Sequence, residues 1–303
     1  LSVAIPARGQ NVQRMTAPLI VMIQSGEDHA CARAAQRGAL AALRDSPFGL
    51  MLFEAETAST FLLDDLRLFL ERHRPQGAVV LPPLSALPGL ADLCVSQQCA
   101  PIMLSPCDLP DAPRVLCGND RQAMADATNY LVALGHQRIG LIAGPDNCLS
   151  SRECELGFID ALAAHDLDRG AELVAGTDGT FAAGEAAMEL LLDVSPRPTA
   201  ILAATDLLAA GALKAALGKG VAIPADLSLV GFGEGAIADN LPIALTSLRP
   251  PTAEMAFAAA TELACADSPP QPTEFFARLV PRASAGPAPA RPPLPAMQLA
   301  SQQ

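Results

Sequence analysis

Leu19-Ile20-Val21-Met22-Ile23 is an unbroken apolar run, and Gln24-Ser25-Gly26-Glu27-Asp28 follows it as a polar stretch containing glycine. Beyond that stretch, Ala32, Ala35, Ala39 and Leu43 recur at intervals of three and four. A short run of branched and unbranched apolar residues suits a buried strand, and the later spacing places its apolar residues along one side of a helix. Strand, loop and helix make the unit of a parallel sheet, because parallel neighbours need a crossover that covers one face.

The same unit recurs outward from this stretch. Further strands are expected near 49–53, 77–81, 101–104, 138–143, 172–175, 200–203 and 227–232, with helices filling the intervals. Between 118 and 135, Met124, Ala127, Thr128, Leu131 and Leu134 share one helical face, and Gly135 stands where a left-handed C-cap belongs. Eight or more strands exceed one comfortable sheet for a chain of 303 residues, so the expected fold class is α/β, with two doubly wound parallel-sheet lobes and a hinged cleft between them. In open parallel sheets, ligands bind where loops leave the carboxyl ends of strands. The loops after Ile23, Ala143, Ala203 and Phe232 are therefore the places to look for function.

Composition narrows the function. Half the residues are apolar, enough for a large core. Twenty Lys and Arg stand against 32 Asp and Glu, for a net charge of −12, the wrong sign for displacing phosphate counterions, so these residues alone are not expected to grip nucleic acid. Every apolar stretch is interrupted well short of a membrane span. The eight cysteines form no CxxC pair and no Cys/His group at metal-ligand spacing, so they read as mostly reduced, buried small hydrophobes, and no metal or cofactor is expected. No GxSxG elbow, HExxH or Walker loop occurs, which points away from an enzyme. Gly231-Phe232-Gly233-Glu234-Gly235 lacks the GxGxxG spacing of a dinucleotide loop. The chain opens Leu1-Ser2-Val3 without an initiator Met, which suggests a segment removed upstream, and 284–303 is rich in Pro, Ala and Gln and is expected to be a disordered tail.

Three segments carry a family resemblance. The first is Tyr130-Leu131-Val132-Ala133-Leu134-Gly135-His136-Gln137-Arg138-Ile139, continuing to Ala143-Gly144-Pro145; the second is Ser151-Arg152-Glu153 followed by Gly157-Phe158. The third runs from Pro198-Thr199-Ala200-Ile201 through Ala204-Thr205-Asp206 and Ile223-Pro224-Ala225-Asp226-Leu227-Ser228-Leu229-Val230-Gly231-Phe232 to Leu245-Thr246-Ser247-Leu248. Together they resemble the effector-binding core of the LacI/GalR family of transcription regulators. The resemblance implies a periplasmic-binding-protein-like fold, a small-molecule effector, a cytoplasmic homodimer, and DNA contact only through an N-terminal helix-turn-helix headpiece not seen in this sequence. It implies a hinge remnant over 1–17, an N-lobe from 18–134 plus 250–270, and a C-lobe from 135–249 plus 271–283. Apolar positions near 62–69 and 255–263 are candidates for the dimer contact. A transporter's solute-binding protein shares this architecture and is the nearest rival; an α/β enzyme is a remote one.

Where the resemblance implies polyol-binding Arg, Asn and Asp, this chain has Cys154, Thr205 and Gly233, and Pro250 replaces a Gln. Losing a charged fork and a carboxylate changes what a buried site accepts, so a small polar or cationic metabolite is expected rather than a simple sugar. The candidate ligand-binding residues are Ser25, Asp28, His29, Asp120, Arg152, Cys154, Thr205, Gly233 and Glu234, and no catalytic residue is expected. Each has a structural alternative. Asp28, Asp120 and Asp206 could cap helices, Cys154 could be a core filler, Arg152 could be structural, and His136 is read as structural.

Overall fold

The computed structural model describes residues 17–26, 29–57, 59–233, 235, 237–265 and 272–290. The first lobe is built from β1 (Leu19–Ser25), α1 (His29–Ala42), β2 (Gly49–Ala55), α2 (Leu62–His73), β3 (Gly77–Val80), α3 (Leu90–Ser96), β4 (Ala100–Ser105) and β5 (Val115–Cys117). The chain then enters the second lobe with α4 (Asp120–Ala133), β6 (Ile139–Ile142), α5 (Leu149–Ala164), β7 (Val174–Ala175), α6 (Phe181–Asp193), β8 (Ala200–Ala203), α7 (Asp206–Gly218), β9 (Ser228–Phe232) and β10 (Thr246–Arg249). It returns for α8 (Thr252–Ala264) and finishes in the second lobe with β11 (Arg278–Val280).

The first sheet has the order β2-β1-β3-β4-β5 and is parallel throughout. The second has the order β11-β10-β9-β8-β6-β7 and is parallel except for the β10–β11 pair. Central strands β3, β6, β8 and β9 are buried at every residue, which is why they read as continuous apolar runs without alternation. Each face of each sheet has its own core. In the first lobe, Ile20 and Met22 pack with Ala35, Ala39 and Ala256, whereas Val21 and Ile23 pack with Leu66, Leu70 and Cys94.

Local chemistry explains the helix ends. α2 carries Asp64 and Asp65 in its first turn and Arg72 and His73 in its last, opposing its macrodipole, and closes on a left-handed Arg74. The hydroxyls of Thr180 and Thr205 accept from the backbone N–H groups of Ala183 and Leu208, capping α6 and α7. Gly135, just past α4, has φ +90°, the left-handed turn that its sequence position suggested.

Two expected boundaries need correction. The first lobe does not extend to 134: Ala123, Met124, Ala127 and Leu131 of α4 pack with Phe158 and Leu202 in the second lobe's core, so the chain crosses at Gly118-Asn119. The expected disordered tail does not begin at 284 either. Ser284 is fully buried, donating its hydroxyl to the Leu229 carbonyl and accepting from the Thr246 N–H, and the Ala288 N–H reaches the Leu134 carbonyl at 2.9 Å. Composition misjudged this segment because backbone hydrogen bonding, not apolar area, holds it. In the return crossing, Cys117 pairs with Thr273 and Phe275, so residues 273–275 still belong beside β5 rather than in the second lobe. The expectations for 1–16, 266–271 and 291–303 lie outside the described residues.

Candidate functional site

The crossings locate the cleft. β5 ends at Cys117 and leads through Gly118-Asn119 to the start of α4; β10 ends at Arg249 and leads through Pro250-Pro251 to the start of α8. Both crossings leave the carboxyl ends of parallel strands, so the carboxyl edges of the two sheets face each other and their loops line the space between the lobes.

Asp120 sits at that junction as the first residue of α4 and is 7% exposed. It does not cap the helix with its side chain; Oδ2 instead accepts the Ser150 hydroxyl from the first turn of α5 at 2.5 Å. Burial pushes the Asp120 carboxyl up to about 7, opposed by the Ser150 hydrogen bond and reinforced by the nearby carboxylate of Glu153. From the first lobe, Cys107 approaches the same two carboxyls; burial, followed by the Glu153 charge, raises its thiol to about 11. Burial also raises the Cys117 thiol. The junction is thus lined by two carboxyl groups, a serine and thiols that stay protonated at neutral pH.

Cys154, expected among the ligand contacts, is instead a core residue. It is 1% exposed, lies among Met124, Leu141 and Phe158, and burial holds its thiol far above the ordinary range, so it is inert. Arg152, on the opposite side of that helical turn, is exposed. Ser25 is buried at the end of β1 in the first lobe, across from the second-lobe loops. Thr205 is half-buried and committed to capping α7. Asp28, the side chain of His29 and Glu234 lie outside the described residues.

Gly233 has a steric origin that sequence comparison alone does not show. Asp206, 4% exposed beneath it, receives the Ser247 hydroxyl on Oδ1 at 2.6 Å, while Oδ2 lies under the turn without a good hydrogen bond. A Cβ at position 233 would stand 2.5 Å from that Oδ2, and one at 231 would stand 2.5 Å from Oδ1. Any side chain at 233 would therefore displace the Asp206 carboxyl. Burial raises the Asp206 carboxyl, with the Ser247 hydroxyl pulling the other way.

His136 is buried in the second lobe, away from the junction. Its Nδ1 faces Thr199 Oγ1 at 2.9 Å and its Nε2 faces Ser228 Oγ at 3.1 Å and the Gly286 carbonyl at 3.0 Å, tying the last described segment to the sheet. Burial lowers its pKa, so the ring is neutral at pH 7. A separate groove of about 720 Å³ opens beside the β6 loop, bounded by Pro145, Thr177 and Asp178 and floored by Ala183, Ala187 and Leu190. Sequence reasoning missed Ser150, Glu153 and Cys107. Glu153 lies inside a motif segment without its spacing revealing a role, and Ser150 and Cys107 carry no mark at all, because Ser150 meets Asp120 only when α5 packs on α4 and Cys107 reaches them only from the other lobe. Among the described residues no group of His, Cys, Asp and Glu is arranged to hold a metal ion, and no helix is long and apolar enough to cross a membrane.

Two parallel, doubly wound sheets that exchange chain at their facing carboxyl edges define a two-lobed binding fold. Residues 128–285 match the model of the periplasmic binding protein-like domain, and the chain belongs to that family. Among sequence relatives, the HTH-type transcriptional repressor CytR of Escherichia coli is 37% identical over 133 residues, covering 44% of this chain and 39% of the repressor. The HTH-type transcriptional regulator CelR of Thermobifida fusca is 36% identical over 135 residues, covering 45% of this chain and 38% of the regulator. The matched stretch thus spans well under half the length of these relatives. Among solved structures, the Escherichia coli transcriptional repressor ascG superposes with a TM-score of 0.76 at 24% identity, covering 89% of this chain and 99% of that one. The CelR–cellobiose complex gives 0.76 at 23% identity, covering 88% and 84%. At these identities the structural likeness is one of fold.

Proposed function

We propose that this chain is the effector-binding and dimerising core of a LacI-type transcription regulator, and that a small polar metabolite closes the two lobes on the Asp120–Ser150 junction. The observation that carries this assignment is the pairing of facing strand ends across three chain crossings with sequence relatives that are HTH-type regulators. Effector binding shifts the lobe–lobe equilibrium only by the difference in its affinity for the two states. Asp120, Ser150 and Glu153 of the second lobe and Cys107 of the first supply that difference as the cleft closes on the ligand. DNA contact falls to a helix-turn-helix segment of the kind the relatives' names carry, because the net charge of −12 opposes a direct grip. A cytoplasmic address follows from the same assignment. The relatives' names favour a regulator over a transporter's solute-binding protein and point away from catalysis.

A simple sugar is disfavoured as effector. Cys154 is buried, Gly233 has no side chain, and Thr205 caps a helix, so none offers the charged or bidentate partners that hold vicinal hydroxyls. The second copy is assigned to the outer face of α2 and the neighbouring edge strand β2. Phe61 and Leu68 are 67% and 63% exposed there, and Leu52, on the face of edge strand β2 turned away from α2, is 48% exposed. The apolar side of α8 is core, with Met255, Ala256 and Ala259 buried, while Phe257 is its exposed large apolar residue.

A thermal-shift screen of metabolites tests the assignment. A ligand at about 100 times its Kd stabilises the folded state by about 2.7 kcal/mol. Failure of every metabolite to raise the unfolding midpoint of the folded chain would sink the effector role. Leading shifts from free sugars would sink the exclusion of sugars while leaving the regulator assignment standing.

A further inference from the structure

The junction between the lobes contains an electrostatic imbalance. Asp120 is more than nine-tenths buried, yet among the described residues the one side-chain donor that reaches it is the neutral hydroxyl of Ser150, on Oδ2, and none reaches Oδ1. Glu153, one turn along α5 and half-buried, adds a second carboxylate close enough to perturb the first. The thiols facing them, Cys107 and Cys117, remain neutral. Arg121, the next residue along α4, is committed to Asp160 and does not neutralise the pair. Arg152 projects to solvent from the other side of the turn, and Arg249 lies against Gly235 at the end of β10.

A buried carboxylate without a cationic partner is costly, and a ligand group that supplies both charge and N–H donors recovers that cost on binding. A polyol offers donors without charge, and a carboxylate or phosphate adds repulsion. Resting on the effector reading above, we infer that the effector carries a protonated nitrogen, an amine or amidine, seated on Asp120 Oδ1 and Glu153 between the lobes.

The test is a thermal-shift screen of the 303-residue chain against water-soluble metabolites grouped as cationic amines, neutral polyols and carboxylates. Calorimetric titration of the leading compound follows, into the wild-type, Asp120→Asn and Glu153→Gln proteins. The expected result is that amines give the largest shifts and that each substitution weakens the leading amine about tenfold or more, or about 1.4 kcal/mol. Asn keeps the Ser150 hydrogen bond and the side-chain shape, and Glu153→Gln alters a half-buried position, so retained wild-type unfolding cooperativity separates lost binding from lost folding. Polyols or carboxylates in the lead would overturn the cationic assignment and leave the effector reading intact, as would an amine whose affinity ignores both substitutions. Silence from all three groups would overturn both.

Discussion

A proton on Asp120 is held more tightly by the folded chain than by the unfolded one, because burial raises that carboxyl from 3.8 to about 7. The group therefore stabilises least above pH 7, and its penalty disappears as pH falls from about 7 toward 3.8. Asp120→Asn is expected to raise stability at pH 8 by about 2–4 kcal/mol and to change it little near pH 4, as read by urea unfolding at the two pH values. His136 has the opposite sign. Its folded pKa lies below the ordinary 6.5, so the stability of the neutral ring is complete above 6.5 and is lost as pH falls toward the folded value. Unfolding midpoints between pH 7.5 and 5 should fall more steeply for the wild type than for His136→Gln, which should itself lose about 1–3 kcal/mol at pH 7.5 from weakened contacts to Thr199, Ser228 and Gly286. At this scale the sequence was only partly legible. His136 stood out within a motif, and its structural role was anticipated, but its partners lie 63 to 150 residues away in the chain and no local pattern announces them. Gly233 reads in the sequence as a lost ligand contact, whereas the fold places the Asp206 carboxyl directly beneath it.

Helices meet in this molecule through glycines, an arrangement that hydrophobic periodicity does not reveal. Gly157 of α5 lies so close to α4 that a Cβ there would be 2.0 Å from the Arg121 carbonyl, and Gly38 of α1 stands in the same relation to the Ala253 carbonyl of α8. Backbone cannot yield as a flexible side chain can, so the helices would have to part. Gly157→Ala is expected to destabilise by about 1–3 kcal/mol despite alanine's better helix propensity, whereas Gly218→Ala, with open space around it, should be neutral or slightly stabilising; thermal unfolding of the pair checks both. Elements with continuous burial or clear periodicity, such as β1, β6 and α4, were legible in the sequence. Short β5 and the parallel pairing of residues 273–275 beside it were not, because three residues are too few to show a period and their partners are supplied from the other end of the chain.

Two lobes and a cleft could be foreseen from the strand count and the order of motifs, while the side of the hinge on which α4 falls could not, since a helix following a strand packs equally well on either lobe until its partners are known. Closure predicts a measurable change of shape: a saturating effector should reduce the radius of gyration in small-angle scattering, and an unchanged value at saturation would argue against closure. Dimerisation through α2 and β2 predicts that Leu68→Arg shifts the sedimentation-equilibrium mass toward one chain without lowering the unfolding cooperativity. The three crossings also govern how the polypeptide matures. Helix α8, from Thr252 to Ala264, completes a core begun by Ile20 and Met22, so a ribosome must translate nearly all of the second lobe before the first can consolidate. Until then the half-built N-terminal body exposes the bare flank that α8 will cover, and a stop codon ahead of residue 252 leaves that flank open for good.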